Sequence, residues 1–200
     1  MLLAARCAAC QRPGPSPCPA CHAALRPPAP EPDPPGLSGL VALLRYEGPA
    51  RALVAQIKYR NRRQAVPWLA DGLAAHLVGH RFDVVTWAPT TPAHARRRGF
   101  DHGEILARAV ARRLGVPARA LLRRTGGATQ TGRPAHERRA DGPSFAAVRP
   151  LVGARVLVVD DVVTTGATLR AAAATLRREA GAAVTVAAAA RTPPRSGHPA

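Results

Sequence analysis

The sequence predicts an α/β fold, a mostly parallel sheet flanked by helices and preceded by a small zinc-knuckle segment. Three observations carry this expectation. Beyond residue 36, strand-like apolar stretches alternate with stretches of helical spacing, the rhythm of a parallel sheet with helices on its faces. Four consecutive apolar residues, Val156 to Val159, suit a strand covered on both sides. All four cysteines fall between residues 7 and 21, which points to one small metal site beside the main domain. With 200 residues, 46% of them apolar, the chain can bury one substantial core.

From the N-terminus, Cys7-x2-Cys10 and Cys18-x2-Cys21 are two knuckles whose four thiolates match the tetrahedral preference of a structural Zn²⁺. His22 could replace one thiolate, and a redox dithiol pair or free thiols are the alternatives. Residues 1–26 form this zinc segment. Residues 27–36 hold six prolines and read as a semi-rigid polyproline linker. The main domain follows over 37–190. Ala50 to Tyr59 is helical, with Leu53, Val54 and Ile57 on one face, and Pro67 to Leu77 is a second helix with Pro in its first turn. Phe82 to Ala88 is a strand stopped by Pro89. Glu104 to Leu114 is a helix closed by Gly115. Leu121 and Leu122 belong to a short strand before a Gly-bearing stretch, and Ser144 to Val148 form another. Arg155 to Asp160 is a strand, Ala167 to Ala180 a helix closed by Gly181, and Ala182 to Ala189 the last strand. Residues 191–200 read as a frayed tail.

Charge and apolar runs narrow the function. Lys+Arg 29 against Asp+Glu 12 gives +17, and Lys58 is the only lysine. Arginine presents a planar fork suited to phosphate, so anionic partners are expected. Aromatic residues make up only 4% of the chain, which counts against a stacking platform for single-stranded nucleic acid. The longest near-apolar run, Ala182 to Ala190, is far short of the roughly 18 residues that span a bilayer. The opening residues lack a signal-peptide core. Clustered cysteines fit a reduced, cytoplasmic protein.

The densest chemistry lies in Val156 to Thr168. Asp160 and Asp161 are placed at the carboxyl end of a buried strand, where open α/β sheets bind ligands. The turn Thr164-Thr165-Gly166-Ala167-Thr168 opens a helix, whose unpaired N–H groups and positive dipole end cradle a phosphate. A phosphate cradle beside acceptors for vicinal hydroxyls describes a sugar phosphate. No Walker sequence is present. His76, His80 and His94 have no metal-ligand spacing, and Lys58 reads as an ordinary helix-end lysine.

This run resembles the phosphoribosyl-pyrophosphate (PRPP) signature of type I phosphoribosyltransferases. The resemblance implies that Asp160 and Asp161 hold the ribose hydroxyls, and that Thr164, Thr165, Gly166, Ala167 and Thr168 hold the 5′-phosphate. Trp87 to Pro92, Arg96 to His102, Leu122 to Thr125, Thr129-Gln130 and Glu137 to Arg139 follow in order. With the cysteines and Gln56 to Tyr59, they look like the ComF family, phosphoribosyltransferase-like proteins associated with competence for DNA uptake. Two departures stand out: Asp101-His102 replaces a common Asn-Gln, and Asp141 stands where Asn is usual.

Thr90 and Arg96 join the expected PRPP contacts. Arg97 reads with Asp160 and Asp161 as catalytic, neutralising the leaving pyrophosphate; a solvated basic loop is the alternative for Arg96 to Arg98. Arg123 to Arg139 resembles the flexible catalytic loop. Mg²⁺ would bridge pyrophosphate and ribose oxygens. The acceptor, a nucleobase among the candidates, is not named by the sequence, nor is the oligomeric state. A nucleic-acid-binding accessory factor in DNA uptake and a PRPP-sensing regulator are the other readings.

Overall fold

The computed structural model describes residues 5–60, 62–126 and 142–193. A short helix α1 (Pro19–Ala23) is followed by β1 (Val41–Arg45), α2 (Gly48–Arg60), α3 (Val66–His76), β2 (Val84–Trp87), α4 (Pro92–Arg98) and α5 (His102–Leu114). Then come β3 (Leu122–Gly126), β4 (Ser144–Ala147), β5 (Arg155–Val163), α6 (Ala167–Ala180) and β6 (Ala183–Arg191).

Four strands make a sheet in the order β1-β6-β5-β2, and all three pairings are parallel. The expected fold class is therefore present. β3 and β4 form a separate antiparallel ribbon instead of joining the main sheet. Strand alternation divides the core. Leu157 and Val159 of β5 point into a cluster with Leu53 and Ile57 of α2, Leu69 and Leu73 of α3, and Leu106 and Val110 of α5. Val156 and Val158 point the other way, toward Leu169, Ala172 and Leu176 of α6 and Phe145 of the ribbon. Each face thus buries branched aliphatic side chains at roughly 1.5–3 kcal/mol apiece relative to exposure. Gly72 lets α3 lie close on β1, where a Cβ would meet Leu43 Cδ2 at 2.7 Å.

Three differences from the sequence expectation matter. β1 has no counterpart in that reading, because its five residues follow the proline stretch without an alternating pattern. Pro92 to Arg98 is a helix and not a loop. Thr91 caps it by accepting from His94 N at 3.2 Å, and Gly99 ends it in the left-handed conformation. β5 continues to Val163, so Asp160 and Asp161 lie inside the strand, not at its last residue. Among the described residues no helix is long and apolar enough to cross a membrane.

Candidate functional site

The Sγ atoms of Cys7, Cys10, Cys18 and Cys21 all lie within 4.8 Å of one another, with Cys10 and Cys18 3.7 Å apart. Tetrahedral thiolates about 2.3 Å from zinc would stand about 3.8 Å apart, so the donor set fits that ion. Cys18 N donates to Cys7 Sγ at 3.3 Å. Arg12 Nε donates to Cys10 Sγ and holds that thiol down at about 6, while burial pushes Cys21 up to about 12. His22 is turned away, edge-on to Trp68 of α3 with ring centroids 5.5 Å apart. Ala8 joins the main core, so the knuckles are packed onto the domain through α3.

At the carboxyl end of the sheet, the two-residue period of β5 puts adjacent carboxylates on opposite faces. Asp161 points toward α2 and α5. Its Oδ1 lies 3.0 Å from Lys58 Nζ, and its Oδ2 lies 3.1 Å from His102 Nε2. That second oxygen is buried and, apart from the His102 contact, accepts no aligned hydrogen bond. Burial works against the charge on Lys58, but Asp161 outweighs it and the amine is raised above its usual 10.5. Lys58 is thus more than a helix-end lysine.

Asp160 faces the α6 side. Its Oδ1 accepts from Asp161 N at 2.8 Å. Burial first, and then the negative Asp161, push its carboxyl up to about 8. It borders a small recess of about 30 Å³ whose other walls include Thr164, Thr165, Gly166, Ala167 and Thr168. Gly166 sits at φ +75° as the N-cap of α6 and has no side chain to cap it; Ala167 N donates weakly to Thr165 Oγ1 at 3.4 Å, and the amides that follow in the first turn remain for a ligand. A Cβ at Gly166 would lie 2.8 Å from Pro34 Cβ. The structure therefore brings together the five turn residues and Asp160, with Asp161 reaching the other face.

Thr90 stands in the turn after β2, its N–H donating to Asp101 Oδ2 at 2.9 Å. Asp101 also caps α5 through Gly103 N at 3.0 Å. The Asp101-His102 departure is thereby given two roles, a helix cap and a neighbour for Asp161. Arg96 and Arg97 are exposed on α4. Arg124 of β3, at the start of the expected catalytic loop, donates to Pro89 O at 3.3 Å. Its Nε is buried without a partner, and burial lowers its pKa. Residues 127–139 of that stretch, with Arg133, Arg138 and Arg139, lie outside the described residues. The sequence reading names neither Lys58 nor His102 as a site residue, although both fall in its motif stretches and Lys58 is the chain's only lysine.

Residues 101–199 match the phosphoribosyl transferase domain family. Among curated relatives, "DNA utilization protein YhgH" of Salmonella typhimurium is 31% identical over 145 residues, covering 68% of this chain and 64% of the relative. The protein of that name from Escherichia coli K12 is 28% identical over the same shares. The match therefore spans less than two thirds of those relatives' length. Among solved structures, the glutamine PRPP amidotransferase of B. subtilis overlaps 68% of this chain and 30% of its own at 25% identity and TM-score 0.48. The purine phosphoribosyltransferase of Pyrococcus horikoshii overlaps 81% of this chain and 84% of its own at 22% identity and TM-score 0.42. The chain thus carries a phosphoribosyl transferase domain and is homologous to the YhgH DNA utilization proteins, as its motifs led one to expect.

Proposed function

We propose that this chain binds PRPP with Mg²⁺ and transfers its 5-phosphoribosyl group to an acceptor. The observation that carries the reading is the recess at the start of α6, a helix N-terminus with glycine at its N-cap, walled by threonines with a carboxylate at its edge. The 5′-phosphate takes the amides and hydroxyls of Thr164 to Thr168. Asp160 accepts ribose hydroxyls on the recess side, and Asp161 would accept on the other face by exchanging its His102 contact for a hydroxyl. Carboxylate oxygens suit Mg²⁺, which keeps several waters and shares substrate oxygens; Asp160, the carboxylate on the recess, would hold it, where it would draw off charge developing on pyrophosphate. Lys58 and His102 hold Asp161 in orientation. Arg124, held on Pro89 O beside Thr90, and Arg96 and Arg97, exposed on α4, are the arginines that would meet the leaving group. Four thiolates leave a zinc ion no open position, so the knuckles act structurally.

Calorimetry with Mg²⁺–PRPP tests the reading. A bound divalent cation favours the ionised form of Asp160 against its raised pKa, so Asp160→Asn removes an acceptor that is charged in the complex, a loss of about 1.5–3 kcal/mol, and affinity should fall roughly 10- to 150-fold. Unchanged affinity would refute the ribose assignment.

A second reading, contact with nucleic acid, is favoured by one feature. A groove of about 490 Å³ between α3 and α5 is rimmed by Arg63, Arg108, Arg112 and Arg119 over an apolar floor that includes Ile105 and Val116. Arg108 and Arg112 lie about 9–15 Å along α5 from His102 at 1.5 Å per residue. If this groove takes a phosphate backbone, binding should fall steeply with salt. Arg112→Glu with Arg119→Glu should then abolish it and leave PRPP affinity intact.

A further inference from the structure

The proline-rich stretch ahead of the sheet is docked and not free-running. Arg191, the last residue of β6, donates to the carbonyls of Glu31, at 3.4 Å, and Pro32. The same guanidinium lies 3.8 Å from the Glu31 carboxylate and 3.9 Å from that of Asp33. Arg170 of α6 donates to Pro35 O at 2.6 Å, and Asp33 Oδ2 accepts from Leu40 N at 3.1 Å. Pro34 is buried against Gly166. This strap and the phosphate turn enclose a cleft of about 1050 Å³, lined among others by Glu31, Asp33, Pro34, Thr164, Thr165 and Arg191. That volume accommodates a small heterocycle beside a sugar phosphate.

The chemistry of the strap wall is one-sided. Pro32, Pro34 and Pro35 have no N–H, so the wall is rich in carbonyl and carboxylate oxygens and poor in donors. Among the described residues, Glu31 and Asp33 outnumber Arg191, the one charged donor lining the cleft, and that donor is already held by the strap's own oxygens. A strongly basic chain thus places an acidic wall beside its phosphate turn.

We propose that this cleft receives the acceptor, and that the acceptor is an uncharged nitrogen heterocycle bearing amino donors, not an anionic or carbonyl-rich one. The inference rests on the transferase reading and adds the substrate class to it. The ring lies along the proline faces, and its amino hydrogens meet the carboxylates of Glu31 and Asp33. An acidic acceptor would bring like charge against two carboxylates in a partly desolvated cleft, where repulsion is poorly screened. In the transfer, the lone pair of a ring nitrogen forms the new bond to C1 as the C1–O bond breaks. Pyrophosphate departs with that bond's electron pair, and the proton released from the ring nitrogen passes to water at the cleft mouth.

The full chain, loaded with zinc and Mg²⁺–PRPP, would be given adenine and cytosine in parallel with orotate, uracil and xanthine, and pyrophosphate release would be followed. Release should be stimulated by an amino-bearing base. Glu31→Gln and Asp33→Asn should each lower kcat/KM for that base about tenfold or more, as expected for loss of a hydrogen bond to a charged group. Both variants should leave PRPP affinity by calorimetry within twofold. Equal or greater release with orotate, uracil or xanthine would overturn the proposal, as would PRPP binding without release by either amino base. Unaltered kcat/KM in both variants would overturn it too. Failure of the unmodified chain to bind PRPP would instead defeat the transferase reading beneath it.

Discussion

Replacing Lys58 with Met removes the charge opposite Asp161 and keeps nearly the same length of side chain. The two groups stand 3.0 Å apart, with side chains only 19% and 6% exposed. At an effective dielectric near 20, that separation corresponds to an attraction of about 5 kcal/mol. Deleting one partner of a buried pair costs about 3–5 kcal/mol, because the remaining charge is left without compensation. Lys58→Met should therefore lower unfolding free energy by about 3–5 kcal/mol at pH 7 in urea titrations. Asp161→Asn added to the same chain removes the stranded carboxylate, and the double variant should recover at least about 2 kcal/mol of that loss. The sign with pH follows from the raised Lys58 pKa. Its contribution is complete below the unfolded value of about 10.5 and is lost only as pH rises through the folded one, so the deficit should be the same at pH 6 and pH 8. A single variant within about 1 kcal/mol of the parent would refute the buried ion pair. So would a double variant whose deficit is the sum of the single ones.

The remaining expectations concern the turn, the knuckles and the second carboxylate. Gly166→Ala forces a left-handed residue, about 1–2 kcal/mol, and drives a methyl into Pro34 and Leu37, about 1–3 kcal/mol more; chemical denaturation should show a loss of about 2–5 kcal/mol, and PRPP affinity should fall with it. Cys18→Ser should release zinc in a metal-binding dye assay and expose residues before Pro27 to protease, whereas full metal retention would contradict a four-thiolate site. The folded pKa of Asp160 is raised to about 8 from 3.8, so the folded state holds its proton more tightly than the unfolded chain. Without divalent ions, stability should fall as pH rises from about 4 to about 8, by at most about 1.4 kcal/mol per unit. Asp160→Asn should remove that slope in denaturation curves taken across the range.

Features written in short stretches of chain were legible before any coordinates. The Cys-x2-Cys spacing places two thiols on one tight turn. The run from Val156 to Thr168 encodes a buried strand, a glycine turn and a helix start, each set by neighbouring residues. The span of α6 was read to the residue because Gly166 and Gly181, both at positive φ, punctuate it. β1 escaped because five residues with no alternation carry too little periodicity, and α4 because its arginines resemble a solvated loop.

The alternation of a strand is a sequence rule, yet ending β5 at Asp160 hid its consequence, that Asp160 and Asp161 face opposite sides of the sheet. What only the tertiary structure decided were the meetings of residues distant in the chain. Lys58 and His102 converge on Asp161 because α2 and α5 pack on the same face of β5. Arg191 clamps Glu31 and Asp33 because the chain returns across the carboxyl end of the sheet. Local propensity has no term for such contacts. They follow from helices seating their apolar faces on the sheet, which fixes the rotation of each helix and so chooses which polar side chains meet at its rim.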